Sequence, residues 1–346
     1  MNYRTLGKTN LKISELGFGT WQLANDPGSW VGSDPKESLE CLEKFVDEGG
    51  NFIDTAWIYG YDDQAPDRHP SEELVGKFLK KTNKENIVVA TKIAPLNMKW
   101  PAWKGSTIQE VFPKDHIIKS VEDSLRSLGV DQIDLMQFHV WQDNWADENE
   151  WKDAIQEIMK NGKVKNFGIS INDYQPSNCL KTLDTGLIST IQFIFNIFHQ
   201  KPTERLLPYA KANNIGLIAR VPLDEGGLSG KNTLETTFPE GDLRQNYFGG
   251  ERLAELVRRT DDLKKLLGKD VNLLPEMALR YILSFDEIST VIPGMRRLYQ
   301  VDGNIKAADA GKLSDEIMEE LKKHTWERNF YHEQDPGIKE NGYIEI

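Results

Sequence analysis

The sequence predicts an α/β protein: a (β/α)8 TIM barrel formed by one domain over residues 1–346, with an N-terminal β-hairpin and long loops on the C-terminal face of the strands. Three observations lead there. Short apolar runs alternate with helical patterns, eight such runs can be counted, and none is followed by a GxGxxG fingerprint. A closed barrel uses eight β/α units, whereas an open doubly wound sheet usually has fewer strands and a glycine-rich first turn.

Residues 3–6 and 11–14 form the opening hairpin, and ELGFGTW is the first barrel strand, ending at Gly19. The next seven are NFIDTA, NIVVATK, IDLMQFH, VKNFGIS, TIQFIFN, GLIARVP and STVIPG. All are brief and mostly β-branched or aromatic, as strands buried on both faces must be. Between them, ESLECLEKFVDEGG, SEELVGKFLKK, KDHIIKSVEDSLRSLG, EWKDAIQEIMKNGK, PSNCLKTLDTG, ERLLPYAKANN and LPEMALRYILS carry helical spacing. Several begin at a capping residue or Pro and several end near Gly. The connections 61–70, 94–113 and 224–250 are longer than a strand-to-helix turn needs, so they are expected to wall a substrate pocket. Trp100 and Trp103, in the second, read as pocket lining or as loop anchors. The irregular tail 328–346 either lies over the barrel mouth or hangs loose.

The formal net charge of -12, with 39% hydrophobic and 28% charged residues, argues against general affinity for nucleic acid or an anionic membrane. No secretory leader pattern or membrane-length apolar run is present, so a cytoplasmic location is expected. Cys41 and Cys179 fall singly in predicted helices; they suggest buried, inert thiols and no metal site. Oligomeric state is not legible.

Asp54, Lys92 and His139 end successive predicted strands, and Tyr59 follows Asp54 by five residues. Charged groups at the ends of apolar strands need partners, so Asp54 and Lys92 are expected to pair. A phenol near a lysine cation can donate a proton, and an imidazole can hydrogen-bond the same oxygen, an arrangement that suits protonation of a carbonyl. Singly, each residue also has an ordinary structural explanation: a capping carboxylate, a packed ring, a snorkelling amine and a core histidine.

FIDTAWIYG, VVATK and MQFH, spaced as here, resemble the signatures of the aldo-keto reductase family, and the likeness runs from YRTLGKTNLKISELGFGTW to IPGMRRLYQVDGN. It implies a catalytic tetrad in which Tyr59 protonates the carbonyl oxygen, Lys92 lowers the pKa of Tyr59, Asp54 holds Lys92 and His139 orients the carbonyl. It implies NADPH as cofactor, with Gly19, Thr20 and Trp21 at the first strand end, Ser170, Asn172 and Gln192 near the carboxamide, and Phe195 as the aromatic under the ring. VPLDEGGLSGK resembles the pyrophosphate loop, through Pro222, Leu223, Glu225, Gly226, Leu228, Gly230 and Lys231. IPGMRRLYQVDGN resembles the adenosine end, with Gly294, Arg296 or Arg297 for a 2′-phosphate, and Gln300 and Asn304 for adenine.

The chain departs from the family pattern at Arg220 and Val221, at Ile171 between Ser170 and Asn172, at Phe195 in place of Tyr, and at Gly303 where an acidic adenine contact is common. Arg220 is taken with the cofactor residues and has three readings: a phosphate contact, a substrate-carboxylate contact or a salt bridge within the barrel. Trp21, Trp100 and Trp141 suggest an aromatic mouth for a small-molecule carbonyl substrate. The resulting expectation is NADPH-dependent reduction of aldehydes or ketones. Its rivals are a nucleotide-binding redox sensor with little turnover and a barrel enzyme that acts on phosphorylated metabolites without a redox cofactor.

Overall fold

Eight short parallel strands, each too apolar to face water, are brought edge to edge into a ring. The computed structural model describes residues 1–24, 29–82, 85–268 and 270–331. β1 (Tyr3–Thr5) and β2 (Lys12–Ser14) form the antiparallel hairpin. The barrel strands are β3 (Phe18–Gly19), β4 (Phe52–Asp54), β5 (Val88–Ile93), β6 (Ile133–Phe138), β7 (Val164–Ser170), β8 (Thr190–Ile194), β9 (Gly216–Arg220) and β10 (Thr290–Val291). They are hydrogen-bonded in chain order, and parallel bridges from Leu16 to Val291 and from Gly19 to Gly294 join the first strand to the last. Eight strands joined end to end in this way make the expected closed barrel.

The surrounding helices are α1 (Pro35–Asp47), α2 (Pro70–Lys81), α3 (Ile108–Val111), α4 (Lys114–Leu128), α5 (Glu150–Lys160), α6 (Leu180–Leu183), α7 (Leu206–Asn213), α8 (Arg244–Tyr247), α9 (Arg252–Lys264), α10 (Leu274–Leu283), α11 (Leu298–Asp309) and α12 (Asp315–Leu321). Local chemistry sets their ends. The Asp34 carboxylate caps Glu37 N at the start of α1, followed by Pro35 at the first helical position, and α4 stops at Gly129 with φ 66°. α1 packs on α11 and α10 on α11, which closes the outer ring between its first and last helices around the barrel seam.

One expected helix is much shorter than its pattern. The spacing of PSNCLKTLDTG predicts several turns, yet only Leu180–Leu183 is helical and Cys179 is its N-cap residue. Asn178 is drawn instead towards Trp141 O and the Gln175 side chain, while the Asp143 carboxylate accepts from Lys181 N and Thr182 N. Side-chain hydrogen bonds of this kind offer the backbone an alternative to the helix. Both cysteines are buried and outside any disulfide, and the Cys179 thiol donates to Pro176 O.

The hairpin plugs the bottom of the barrel: Leu6 and Ile13 pack with Phe52, Val88, Ala90, Leu135 and Ile218 inside it. The opposite end is therefore the open one, where the strands deliver their last residues. No helix among the described residues is long and apolar enough to cross a membrane.

Candidate active site

Register places the charged residues at this open end. Asp54 pairs with Ala90 on β5, and Lys92 pairs with Gln137 on β6, so Lys92 lies one inward-facing position beyond Asp54 on the adjacent strand. Lys92 Nζ donates to Asp54 Oδ1 at 2.6 Å, to Thr55 O at 2.8 Å and to Tyr59 Oη at 3.3 Å. Asp54 Oδ2 accepts from Gln192 Nε2 at 2.7 Å and from Gln137 Nε2 at 3.4 Å. The pair is buried, with Lys92 at 0% exposure and Asp54 at 2%, and such a pair survives only with its remaining hydrogen bonds made. The ring of His139 lies 5.7 Å from that of Tyr59, edge to face. The four residues expected to act together are thus gathered at one point.

Burial pulls the Lys92 ammonium down, but the Asp54 carboxylate and the Tyr59 oxygen outweigh it, leaving its pKa above the ordinary value. Burial raises the Tyr59 hydroxyl; the Lys92 cation pulls it back and Asp54 pushes it up, and the net shift is upward. Lys92 therefore moderates the acidity loss that burial causes without reversing it, so Tyr59 carries its proton across the neutral range. Burial first, then the Lys92 and Arg220 charges, hold His139 well below its usual pKa, so its imidazole is neutral. Its Nδ1 is buried without a hydrogen-bond partner among the described residues.

Above these groups is a cavity of about 720 Å³. Trp21 stacks on Tyr59 with ring centroids 6.0 Å apart, and Trp100 meets His139 edge to face at 5.9 Å, and both line the mouth. Trp141 does not. It is fully buried among Phe112, Phe138, Trp145 and Trp151, its Nε1 donates to Thr182 Oγ1 at 2.8 Å, and it stiffens the wall from behind. Trp103 is also absent from the lining and has the Lys99 ammonium over its ring instead. Of the three long loops, residues 61–70 contribute nothing to the cavity wall, whereas the other two do.

From the first strand end, Gly19, Thr20 and Trp21 line the cavity, as do Asn172 and Gln192. Asn172 is heavily committed: its Oδ1 accepts from Ala102 N and Trp141 N, and its Nδ2 donates to Ala102 O and the Gln175 side chain. Ser170 is buried below the lining. Phe195, expected under the nicotinamide, faces outward: it packs against Tyr281 and Phe285 around α10. Strand alternation explains this, because Gln192 points inward to Asp54 and residues 193 and 195 must then point out.

Arg220, on the cavity wall, makes the salt bridge that was one of its three readings. Its Nη2 donates to Asp173 Oδ1 at 2.6 Å and to Ile171 O at 3.1 Å, and its Nε is buried without a partner among the described residues. Beyond it, Pro222, Leu223, Glu225, Gly226 and Lys231 line the cavity, while Leu228 is buried in the core and Gly230 supplies a left-handed turn at φ 74°. At the far end Gly294, Arg296 and Gln300 are in the lining. A Cβ at Gly294 would stand 2.1 Å from Gln22 Oε1, so a side chain there would have to displace the end of Gln22. Arg297 and Asn304 are not in the lining. Arg297 is tied to Glu37 across the α1/α11 seam, and Asn304 is buried in α11.

The lining includes residues that the sequence gave little reason to select. Trp30 lies beneath two guanidiniums, Arg244 at 4.5 Å and Arg296 at 5.6 Å from its ring centroid. Tyr331, from the tail, reaches the cavity and donates to the Glu225 carboxylate, and Arg328 pairs with Asp224. The described part of the tail thus lies over the mouth, and residues 332–346 lie outside the described residues. In the sequence Arg244 stands between Leu243 and Gln245, and its ring contacts with Trp30 and Phe238 form only in space, so neither it nor the tail carries a local signal.

These residues fit a nicotinamide dinucleotide. Proton-donating groups stand at one end of the cavity, a loop with left-handed residues and glycines follows, and arginines stand at the other. The arrangement can polarise and protonate an oxygen at Tyr59 and His139 while anionic groups are held farther along.

A sequence profile described as Aldo/keto reductase family matches residues 15–325. The chain is similar to Aldo-keto reductase YhdN of Bacillus subtilis, 31% identical over 309 residues that cover 87% of each chain. It is also similar to the NADH-specific methylglyoxal reductase of Escherichia coli, 27% identical over 90% of this chain and 94% of that one. Among solved structures, the glycerol dehydrogenase AKR11B4 from Gluconobacter oxydans superposes with a TM-score of 0.73 at 28% identity, covering 97% of this chain and 94% of that one. With the profile spanning most of its length and the barrel in place, this chain belongs to the aldo/keto reductase family, oxidoreductases that work with a nicotinamide cofactor on carbonyl groups.

Proposed function

We propose that the protein is an NADPH-dependent reductase of aldehydes or ketones in which Tyr59 is the general acid. The observation that carries this reading is the hydrogen-bonded series Asp54, Lys92, Tyr59 at the foot of a cavity whose far end holds Arg296. When bound, the reduced nicotinamide supplies the hydride. Tyr59, still protonated at neutral pH, gives its proton to the substrate oxygen as negative charge develops there. Lys92 stabilises the phenolate left behind, and Asp54, fixed by Gln192 and Gln137, keeps Lys92 charged and in place. The neutral His139 imidazole hydrogen-bonds the same oxygen without bringing a competing cation. Trp21 and Trp100 flank that position, limit water and favour a substrate with an apolar or ring face.

The preference for NADPH over NADH rests on Arg296 over Trp30, a cavity-lining cation at the end that the family resemblance gives to adenosine; the fork of the neighbouring Arg244 is already paired with Asp242. A 2′-phosphate is the feature that distinguishes the two cofactors, and guanidinium forks match phosphate geometry. The name of the Escherichia coli relative specifies NADH, and the two cofactors are compared side by side in the test. Purified protein mixed with NADPH or NADH and a panel of small aldehydes and ketones tests the reading by cofactor absorbance. Carbonyl-dependent oxidation faster with NADPH supports it. Nucleotide binding without turnover would favour a sensor, and faster oxidation of NADH would reverse the cofactor choice.

A further inference from the structure

The loop after β9 contains three non-glycine residues in the left-handed region: Val221 at φ 55°, Asp224 at 51° and Glu225 at 51°. Side chains with a Cβ resist this conformation, a β-branched one most of all, and a loop that keeps it needs outside support. Val221 is supported from the neighbouring strand end, where Asn196 Nδ2 donates to its carbonyl at 2.9 Å. Asp224 and Glu225 are each held by a tail side chain more than a hundred residues away. Arg328 Nη2 donates to Asp224 Oδ1 at 2.5 Å, Tyr247 Oη donates to the same oxygen at 3.0 Å, and Tyr331 Oη donates to Glu225 Oε1. Asp224 is fully buried and Arg328 nearly so, its guanidinium lying 4.2 Å from the centre of the Trp326 ring.

We propose that Arg328 and Tyr331 are positioning residues that hold the 221–226 loop in the conformation that receives the cofactor pyrophosphate. The proposal rests on the reading of that loop as the pyrophosphate site. Arg328 is absent from the cavity lining, so its effect passes through Asp224. Released from its two ties, the loop relaxes towards ordinary backbone angles, and binding must drive it back at a cost in affinity. Chemistry at Tyr59 should be little affected once the nucleotide is bound.

The test is equilibrium titration of the full-length protein with NADPH, together with kcat at saturating NADPH. Arg328→Ala should raise Kd about tenfold and leave kcat within about twofold, with Arg328→Lys recovering much of the affinity. Tyr331→Phe, which removes only a hydroxyl, should raise Kd in the same direction. Two double variants isolate the backbone, since both remove the buried pair: Asp224→Gly/Arg328→Ala should bind about tenfold tighter than Asp224→Ala/Arg328→Ala, because glycine adopts positive φ freely. Equal affinities in those two variants overturn the proposal, as does an Arg328→Ala protein that loses kcat and keeps its Kd. A wild-type protein that binds neither NADPH nor NADH overturns the cofactor reading itself, a result distinct from failure of the clamp.

Discussion

Gln192 Nε2 donates to Asp54 Oδ2 at 2.7 Å while Lys92 takes Oδ1 at 2.6 Å, so the buried carboxylate is satisfied on both oxygens. A side chain expected beside the nicotinamide thus also braces the ion pair under Tyr59.

Removing one member of that pair should be worse than removing both charges. Lys92→Met leaves the buried Asp54 carboxyl without its counter-ion, and the expected loss is about 3–5 kcal/mol, read from urea unfolding. Adding Asp54→Asn should recover much of that stability and none of the reductase activity, because Tyr59 then has no cation beside it. A double variant as unstable as Lys92→Met would show that the pair is not the structural unit described.

The two adjacent arginines should behave differently. Arg296 lines the cavity over Trp30, whereas Arg297 is paired with Glu37 at the helix seam. Arg296→Ala is expected to weaken NADPH by about tenfold or more and NADH little; a charge-assisted phosphate contact is worth about 1.5–3 kcal/mol. Arg297→Ala should leave both affinities near wild type. Equal weakening of NADPH and NADH by Arg296→Ala would remove the 2′-phosphate argument.

Glu72 offers a pH test outside the site. It is fully buried; Thr91 Oγ1 donates to its Oε1 at 2.6 Å, and burial pushes its pKa from 4.5 up to about 7. Because the folded value lies above the unfolded one, folding takes up a proton between these pH values. Stability therefore falls as pH rises through that window and levels off above it. Glu72→Gln should match wild type near pH 4 and exceed it at pH 8, by an amount on the order of 3 kcal/mol at most. Parallel stability curves from pH 4 to 8 would contradict this.

The barrel and the Asp54, Tyr59, Lys92 and His139 cluster were legible because a charge at the end of an apolar strand demands a partner, and the closed ring supplies it. Direction was harder to read. Phe195 follows Gln192 by three positions, and alternation alone turns it out towards α10, a constraint that a motif match does not carry. Trp141 lies just past a strand end, where chain direction is no longer fixed by the pleat, and it goes into the aromatic core. Arg220 announced its need for a partner without naming Asp173, and the tail contacts of Arg328 and Tyr331 span too much sequence for any local pattern.

The most direct test of the account is Tyr59→Phe, measured with NADPH and a small aldehyde that the wild-type protein reduces. The phenol serves proton delivery more than nucleotide binding, so kcat should fall by about 10²–10⁴ while the Kd for NADPH stays within about twofold. A variant that keeps wild-type kcat, or that loses NADPH affinity as steeply as rate, would contradict the assignment of Tyr59 as the acid.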